Sequence, residues 1–159
     1  MDIKPAARDD LDGIFEVAER ALHEAYAGVL PPDSVRRETE RLTGASLKEK
    51  LLAGELLLGI EDTGRIAAFV LIEDREDHTE LTTLLAPLHP ASEVTVQPFV
   101  DVVRARGFVF PLSSDIVLGN VAHERFHEEA GFVPGEVLEG DVEGRPVIRR
   151  RWWLIGDAA

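Results

Sequence analysis

Two apolar segments joined by a short turn limit the folds open to this chain more than any other feature. Residues 55–62 (ELLLGIED) and 65–74 (RIAAFVLIED) lie on either side of Thr63-Gly64. Apolar runs of this length, bounded by turn residues, are typical of strands rather than of helices. The pattern therefore predicts an apolar β-hairpin among the central strands of a sheet.

A segment whose apolar residues have helical spacing precedes this hairpin. Apolar residues recur every three or four positions, at Leu11, Ile14, Phe15, Ala18, Leu22 and Ala25. Asp9 or Asp10 can cap this first helix, and Gly28 with the prolines that follow ends it. A second helical stretch is predicted over 33–53, with a break near Thr43-Gly44.

The other apolar segments continue this mixture of helices and strands. Further strands are predicted at 3–6, 78–86, 108–112, 132–140 and 146–155, and further helices at 96–106 and 120–130. The resulting order is β-α-α-β-β-β-α-β-α-β-β. Since no linker divides the sequence, residues 1–159 are expected to form one α/β domain. Its central sheet is predicted to be mixed, mostly antiparallel and flanked by helices.

Bulk composition excludes several classes of partner. The chain has 159 residues, of which 45% are apolar and 30% charged, the balance of a globular protein. Its net charge of −13 repels nucleic acid and anionic membrane surfaces, so neither is an expected partner. No apolar run approaches the roughly 18 residues that a membrane span needs. The start, MDIKPAARDD, lacks the features of a signal peptide, which predicts a cytoplasmic location.

Cysteine and lysine usage adds two further points. There are no cysteines, which excludes disulfides, thiolate nucleophiles and cysteine-bound zinc. Lysines contribute only Lys4, Lys48 and Lys50 to the 17 basic residues. Excess carboxylate with scarce lysine is typical of proteins from salt-accumulating halophiles, but a GC-rich genome that favours arginine codons gives the same balance. Both origins stay open, and the charge therefore does not identify a substrate.

Residues 123–127, HERFH, match the H-E-x-x-H pattern with which zinc peptidases bind their metal and hold a general base. A helical wheel predicts a buried stripe at Ala122, Phe126 and Ala130, flanked by Asn120, His123 and His127. A catalytic zinc normally takes three protein ligands, and no third histidine follows at the required spacing. Gly131 also ends the helix one turn after His127. A zinc peptidase is therefore a remote alternative, and no metal site is predicted.

Two segments resemble the GNAT superfamily of N-acetyltransferases. Residues 25–33, AYAGVLPPD, are similar to the stretch that closes the first helix in many members. Residues 120–132, NVAHERFHEEAGF, follow the pattern of the family's fourth helix, with Asn120, Phe126 and Gly131-Phe132 in register. The resemblance implies the acyl-CoA N-acyltransferase fold and direct transfer of an acetyl group from acetyl-CoA to a primary amine. Implied partners are a small-molecule or peptide amine acceptor and, as in many members, a second copy in a homodimer.

The same resemblance implies roles for particular residues. In many members a tyrosine seven residues after the helical asparagine protonates the leaving thiolate; His127 occupies that position, and imidazole can donate a proton near neutral pH. Asn120 matches the residue that contacts the pantetheine arm of the cofactor. Leu84, Leu85 and Ala86 match the strand end whose backbone receives the pantetheine and the oxyanion. Ordinary alternatives stay open: a flanking histidine without a catalytic part, a helix N-cap and plain core.

A general base and an acceptor site are also needed. Glu80 is the candidate base, although Glu73 and His78 also lie at ends of the central strands and acidic residues are abundant. His23 and Tyr26 lie one turn apart on the first helix, which lines the acceptor site in many members. A solvated carboxylate, and packing of Tyr26 against its apolar neighbours, are the respective alternatives.

The loop after the fourth strand departs from the family pattern. Members usually carry Q/R-x-x-G-x-G/A there, and its backbone N–H groups hold the pyrophosphate. Residues 87–98, PLHPASEVTVQP, contain no glycine, lysine or arginine. Glu93 adds negative charge, and Pro98 removes one N–H. Two hypotheses follow: an acetyltransferase that holds acetyl-CoA weakly, or a GNAT fold that has lost this cofactor and binds another ligand or a protein.

The last predicted strand, VIRRRWWLI at 147–155, has mixed faces. Alternation places Trp152 and Trp153 on opposite faces, so both cannot enter one core. Either one tryptophan lies at a subunit interface, where Trp and Arg are favoured, or one covers the outer helix while the other is half exposed.

Overall fold

The computed structural model of the chain describes residues 1–86 and 95–156, apart from the side chain of Ser46. Its elements are β1 (Asp2–Pro5), α1 (Leu11–Ala25), α2 (Pro32–Leu42), α3 (Ala45–Leu52), β2 (Leu56–Ile60), β3 (Ile66–Asp74), β4 (Thr79–Leu85), α4 (Gln97–Ala105), β5 (Leu112–Val117), α5 (Val121–Glu129), β6 (Val133–Val142) and β7 (Arg145–Leu154). Among the described residues, no helix is both long and apolar enough to cross a bilayer.

The strands form a seven-stranded sheet in the order β1-β2-β3-β4-β5-β7-β6. β4 and β5 run parallel, whereas the pairs β1–β2, β2–β3, β5–β7 and β6–β7 are antiparallel. The predicted α/β class with a mixed, mostly antiparallel sheet is confirmed. The predicted break at Thr43-Gly44 is also confirmed, because it separates α2 from α3.

One predicted strand was wrong. Residues 108–112 were expected to form it, but β5 begins only at Leu112 and continues through polar residues to Val117. Pro111 has no N–H to donate to a ladder, and its carbonyl instead accepts from the Thr79 N–H at 3.1 Å. The apolar run Phe-Val-Phe led to the wrong strand prediction, whereas the observed strand buries Ser113 and Ser114 completely.

Contacts divide the chain into two compact units, and the first comprises Met1–Leu71 with the segment that begins at Thr83. The apolar hairpin provides its core, since Leu57, Leu58 and the β3 residues 67–70 are fully buried. Of the predicted α1 stripe, Ile14, Ala18 and Leu22 are buried, whereas Leu11, Phe15 and Ala25 are only half-buried. The helix also buries Val17 and Ala21, which the stripe did not include. A Cβ added at Gly13 would lie 2.7 Å from Ile66 Cδ1, so the end of that side chain would have to shift.

The second unit comprises Ile72–Thr82 and the chain from Thr95 onward. α4 buries Phe99, Val100 and Val103 on one face, as its spacing predicts. The register of β5 and β7 pairs Trp152 with Ser114 and Trp153 with Ser113, so the adjacent tryptophans do point to opposite faces. Trp152 is buried and Trp153 is half-buried, with its Nε1 donating to Glu136 at 3.0 Å.

Candidate functional site

The start of α5 is built around Asn120. The Asn120 Oδ1 accepts a 3.4 Å hydrogen bond from the His123 N–H, and its carbonyl accepts from the Glu124 N–H at 3.0 Å. The N-cap interpretation of this residue is therefore confirmed. Its Nδ2 has no acceptor among the described residues, so the same amide can cap the helix and donate to a ligand.

Replacing Asn120 by alanine should lower the free energy of unfolding by about 0.5–1 kcal/mol, the lower part of the usual range, because the capping bond is long. Serine keeps an oxygen acceptor at the same place, and the Asn120→Ser variant should lose less than half as much. Urea unfolding followed by tryptophan fluorescence measures both. Equal losses for serine and alanine would show that the side-chain acceptor does not stabilise α5.

The buried face of α5 differs from the helical-wheel prediction. His123 and His127 are 4% and 0% exposed, whereas Ala122 and Phe126 are only half-buried. The prediction that Ala122 and Phe126 belong to the buried stripe was therefore wrong, although Ala130 is buried as expected. Imidazole can be buried here because the helix backbone satisfies it: His127 Nδ1 lies 2.7 Å from the His123 carbonyl oxygen.

The protonation state of His127 follows from this contact. A carbonyl only accepts, so Nδ1 carries the hydrogen and Nε2 has the lone pair. Burial lowers the pKa of His127 to about 4, and that of His123 also to about 4. At neutral pH the ring is thus uncharged. The role of proton donor stays a prediction, with the condition that Nε2 first takes up a proton.

Within the described part of the chain, HERFH is not joined by a third metal-binding side chain. In the described ranges, no group of three histidine, aspartate or glutamate side chains lies close enough together to hold an ion. His127 Nδ1 is already used within the helix, which leaves only its Nε2 for a metal. The geometry gives the zinc-peptidase alternative no third ligand among these residues.

Glu80 lies near the start of β4 in a row of ion pairs. Its carboxylate accepts from Arg75 Nε at 3.1 Å, and Arg75 also donates to Glu73 at 3.0 Å. As a general base, Glu80 would have to release this arginine, and its catalytic role stays a prediction.

The second unit also contains a stronger ion pair, which was not predicted from the sequence. Arg151 of β7 donates two hydrogen bonds to Asp115 of β5, at 2.8 and 3.0 Å, and this carboxylate raises the pKa of the guanidinium. The Trp153 ring lies beside Arg151 at 6.0 Å and against the His78 ring at 5.2 Å. The only hint in the sequence was that Arg151 and Trp153, two residues apart in a strand, fall on the same face.

The end of β4 carries the predicted backbone site for the pantetheine arm. Leu84, Leu85 and Ala86 are all buried. The Ala86 N–H donates to the Ala67 carbonyl at 2.8 Å, and the Ala86 carbonyl accepts from Arg20 at 2.9 Å. Because successive N–H groups of a strand point to alternate sides, the N–H of Leu85 faces away from β3. The cofactor role of these three residues stays a prediction, and Arg20 was not foreseen.

The predicted acceptor residues differ in exposure. Tyr26 is 4% exposed, which suits packing, whereas His23 is exposed on α1. Most of the loop after β4, residues 87–94 with Glu93, lies outside the described residues. The start of α4 is described: Pro98 is in its first turn, and the Phe99 N–H donates to the Val96 carbonyl at 3.0 Å.

Neither a family model nor a curated protein sequence matches the chain. Solved structures match it over nearly its whole length. The PaiA N-acetyltransferase of Thermoplasma acidophilum, in complex with coenzyme A, has a TM-score of 0.72 at 16% identity, covering 94% of this chain and 96% of that one. YncA of Salmonella typhimurium, with its cofactor acetyl-CoA, has a TM-score of 0.71 at 19% identity. That match covers 99% of this chain and 95% of that one. A GNAT-family acetyltransferase of Streptococcus agalactiae has a TM-score of 0.72 at 16% identity. That match covers 98% of this chain and 95% of that one.

Likeness at such low sequence identity concerns the path of the backbone rather than the chemistry of a site. In these three comparisons the matched backbone covers at least 94% of this chain. The chain therefore has the fold of the GNAT superfamily of N-acetyltransferases.

Proposed function

We propose that this protein is an N-acetyltransferase that moves an acetyl group from acetyl-CoA to a primary amine of a small molecule or peptide. The observation that carries the proposal is the likeness along the whole chain to such enzymes, two of them solved with coenzyme A or acetyl-CoA. The thioester of the cofactor supplies an activated acetyl group. The residues below would hold the cofactor and move protons.

Asn120 fits the pantetheine arm, which is a neutral chain of amide and methylene groups. Its Oδ1 caps α5, and its Nδ2 has no acceptor among the described residues and can donate to an amide carbonyl. Leu84, Leu85 and Ala86 are buried and uncharged, which suits the same arm, although the Ala86 N–H and carbonyl already bond to Ala67 and Arg20. We assign these four residues to the cofactor.

The start of α4 fits the phosphates of the cofactor less well. Pro98 has no N–H, and the N–H of Phe99 is used inside the helix. The net charge of −13 also repels a polyanion. We therefore expect weak binding at low ionic strength and no loss of affinity in molar KCl, where the Debye length falls to about 3 Å.

His127, Glu80, His23 and Tyr26 are our candidates for the chemical step. His127 would protonate the leaving thiolate, and Glu80 would take a proton from the amine. His23 is exposed and can contact an acceptor. Tyr26 is buried and would support the acceptor site by packing beneath it. A homodimer in the cytoplasm is the expected setting.

Acetyl-CoA should raise the free energy of unfolding by about 2.7 kcal/mol when its free concentration is 100 times the dissociation constant. Thermal unfolding with and without acetyl-CoA, in chelator-treated buffer at low and molar KCl, measures this effect. The Asn120→Ser variant keeps an acceptor for the cap but loses the amide donor. Its stabilisation by acetyl-CoA should be smaller at the same cofactor concentration.

Two further observations complete the test. Release of free thiol in the presence of a panel of primary amines reports transfer itself. If millimolar acetyl-CoA raises the melting temperature at neither salt concentration, the acetyltransferase proposal is wrong, and a GNAT fold that binds another ligand is favoured. A fall in melting temperature caused by the chelator alone would reopen HERFH as a metal site.

A further inference from the structure

A pocket in the first unit combines apolar walls with two cationic side chains. It has a volume of about 290 Å³ and is lined, among the described residues, by Arg8, Leu11, Lys48, Leu51 and Leu52. Arg8 belongs to a 3-10 turn just before α1, Leu11 begins α1, and the other three residues lie on α3. The volume suits a small ligand rather than a protein segment.

The two cations of this pocket differ from the other basic residues of the unit. Neither the Arg8 guanidinium nor the Lys48 ammonium has an ion pair or hydrogen bond with any described residue. The other basic residues all have one: Lys4 with Asp10, Arg20 and Arg65 with Glu16, Arg36 with Glu19, Arg37 with Ser34, Arg41 with Glu38 and Lys50 with Glu55.

This difference points to an external anion. The chain carries 30 acidic and 17 basic residues, so a cation on its surface has many carboxylates to pair with. Arg8 and Lys48 both line a pocket whose described lining contains no acidic residue. They form a local positive site on a strongly negative protein, and such a site attracts an anion.

The other residues that line the pocket are apolar and suit an apolar part of a ligand. Leu52 is 77% exposed, and Leu11 and Leu51 are half-buried, so three leucines present apolar surface to solvent at one place. Covering that surface is favourable in proportion to its area. A ligand that satisfies the whole pocket is therefore anionic at one end and aliphatic at the other.

We propose that this pocket binds a medium-chain carboxylate, with the head group between Arg8 and Lys48 and the aliphatic chain against the three leucines. A single charge is favoured over a phosphate dianion, because the net charge of −13 repels the second charge as well. The proposal concerns a site on the first unit alone and does not depend on acetyl transfer.

Octanoate is the probe, and isothermal titration calorimetry at low ionic strength is the measurement. Octanoate should bind with one site per chain, whereas octanol, octylamine and acetate should bind at least about tenfold more weakly, since each lacks the charge, its sign or the tail. The double variant Arg8→Gln with Lys48→Gln should weaken octanoate by roughly tenfold. Arg36→Gln with Lys50→Gln changes the net charge equally and should leave the affinity unchanged.

Four results would overturn the proposal. One is no heat of binding with millimolar octanoate, measured on protein whose unfolding transition shows that it is folded. The second is equal affinity for octanoate and octylamine, which would mean that the leucines bind any alkyl chain. The third is an equal loss in both double variants, which would place the effect in overall charge rather than in Arg8 and Lys48. Tighter binding of octyl phosphate than of octanoate would overturn the choice of a carboxylate head.

Discussion

Lowering the pH from 7 to 5 should destabilise this protein by about 2 kcal/mol for each of two buried histidines. Desolvation lowers the pKa of His123 and of His127 from 6.5 to about 4. The unfolded chain therefore takes up protons near pH 6.5, whereas the folded chain takes them up only near pH 4. The stability due to the neutral rings is complete above pH 6.5, falls as the pH drops towards 4, and changes no further below that value.

Urea unfolding at pH 7, 6 and 5, at constant salt and followed by tryptophan fluorescence, measures this loss. The variants His123→Leu and His127→Leu each remove one titrating ring and keep an apolar side chain of similar size. Each should lose about 2 kcal/mol less than the wild-type protein over the same pH range. If all three proteins lose the same free energy, carboxylates cause the acid sensitivity and the α5 histidines do not.

Replacing Phe132 by alanine should lower the free energy of unfolding by about 3–5 kcal/mol. Phe132 is 2% exposed, and its ring packs edge-on against His127 with the centroids 5.1 Å apart. Its N–H also donates to the His127 carbonyl at 3.0 Å, which fixes the chain directly after α5. Alanine would leave a cavity beside a buried imidazole, and the packing around it can relax only in part.

Phe126 provides the matched control, since it is a phenylalanine of α5 that is only half-buried. Phe126→Ala should cost less than half as much as Phe132→Ala, and Phe132→Leu should cost roughly 1 kcal/mol because most of the volume is kept. Urea unfolding at pH 7 measures all three. A larger loss for Phe126→Ala than for Phe132→Ala would mean that α5 turns its Ala122 and Phe126 side to the core, as the helical wheel predicts.

Most of the secondary structure was accessible from the sequence because its signals are local. The apolar hairpin around Thr63-Gly64, the stripe of α1 and the break between α2 and α3 each depend on a few neighbouring residues. The strand at 108–112 was misplaced, because the apolar letters before Pro111 gave a stronger local signal than the polar residues that do form β5. Those residues enter a strand because their backbone pairs with β4 on one side and β7 on the other.

The candidate site divides in the same way. Asn120 could be identified as a helix cap from its residue type and its place before a helix, and the structure has that bond. Which face of α5 is buried could not be predicted from residue types, because a hydrophobicity scale ranks Phe126 above His127. The imidazole becomes suited to burial only when the His123 carbonyl satisfies its Nδ1 and Phe132 covers it.

By itself, the sequence determined the order of helices and strands, the apolar hairpin, the cap of α5 and the acidic charge. Only the tertiary structure decided the rotation of α5, the pair of Arg151 with Asp115 across 36 residues and the bond of Arg20 to Ala86 across 66. Periodicity and turn chemistry act over a few residues and can be recognised in one segment. Which polar side chains find partners depends on surfaces that distant segments bring together, and burial without a partner is costly enough to be the exception, as at Ser113 Oγ and Trp152 Nε1.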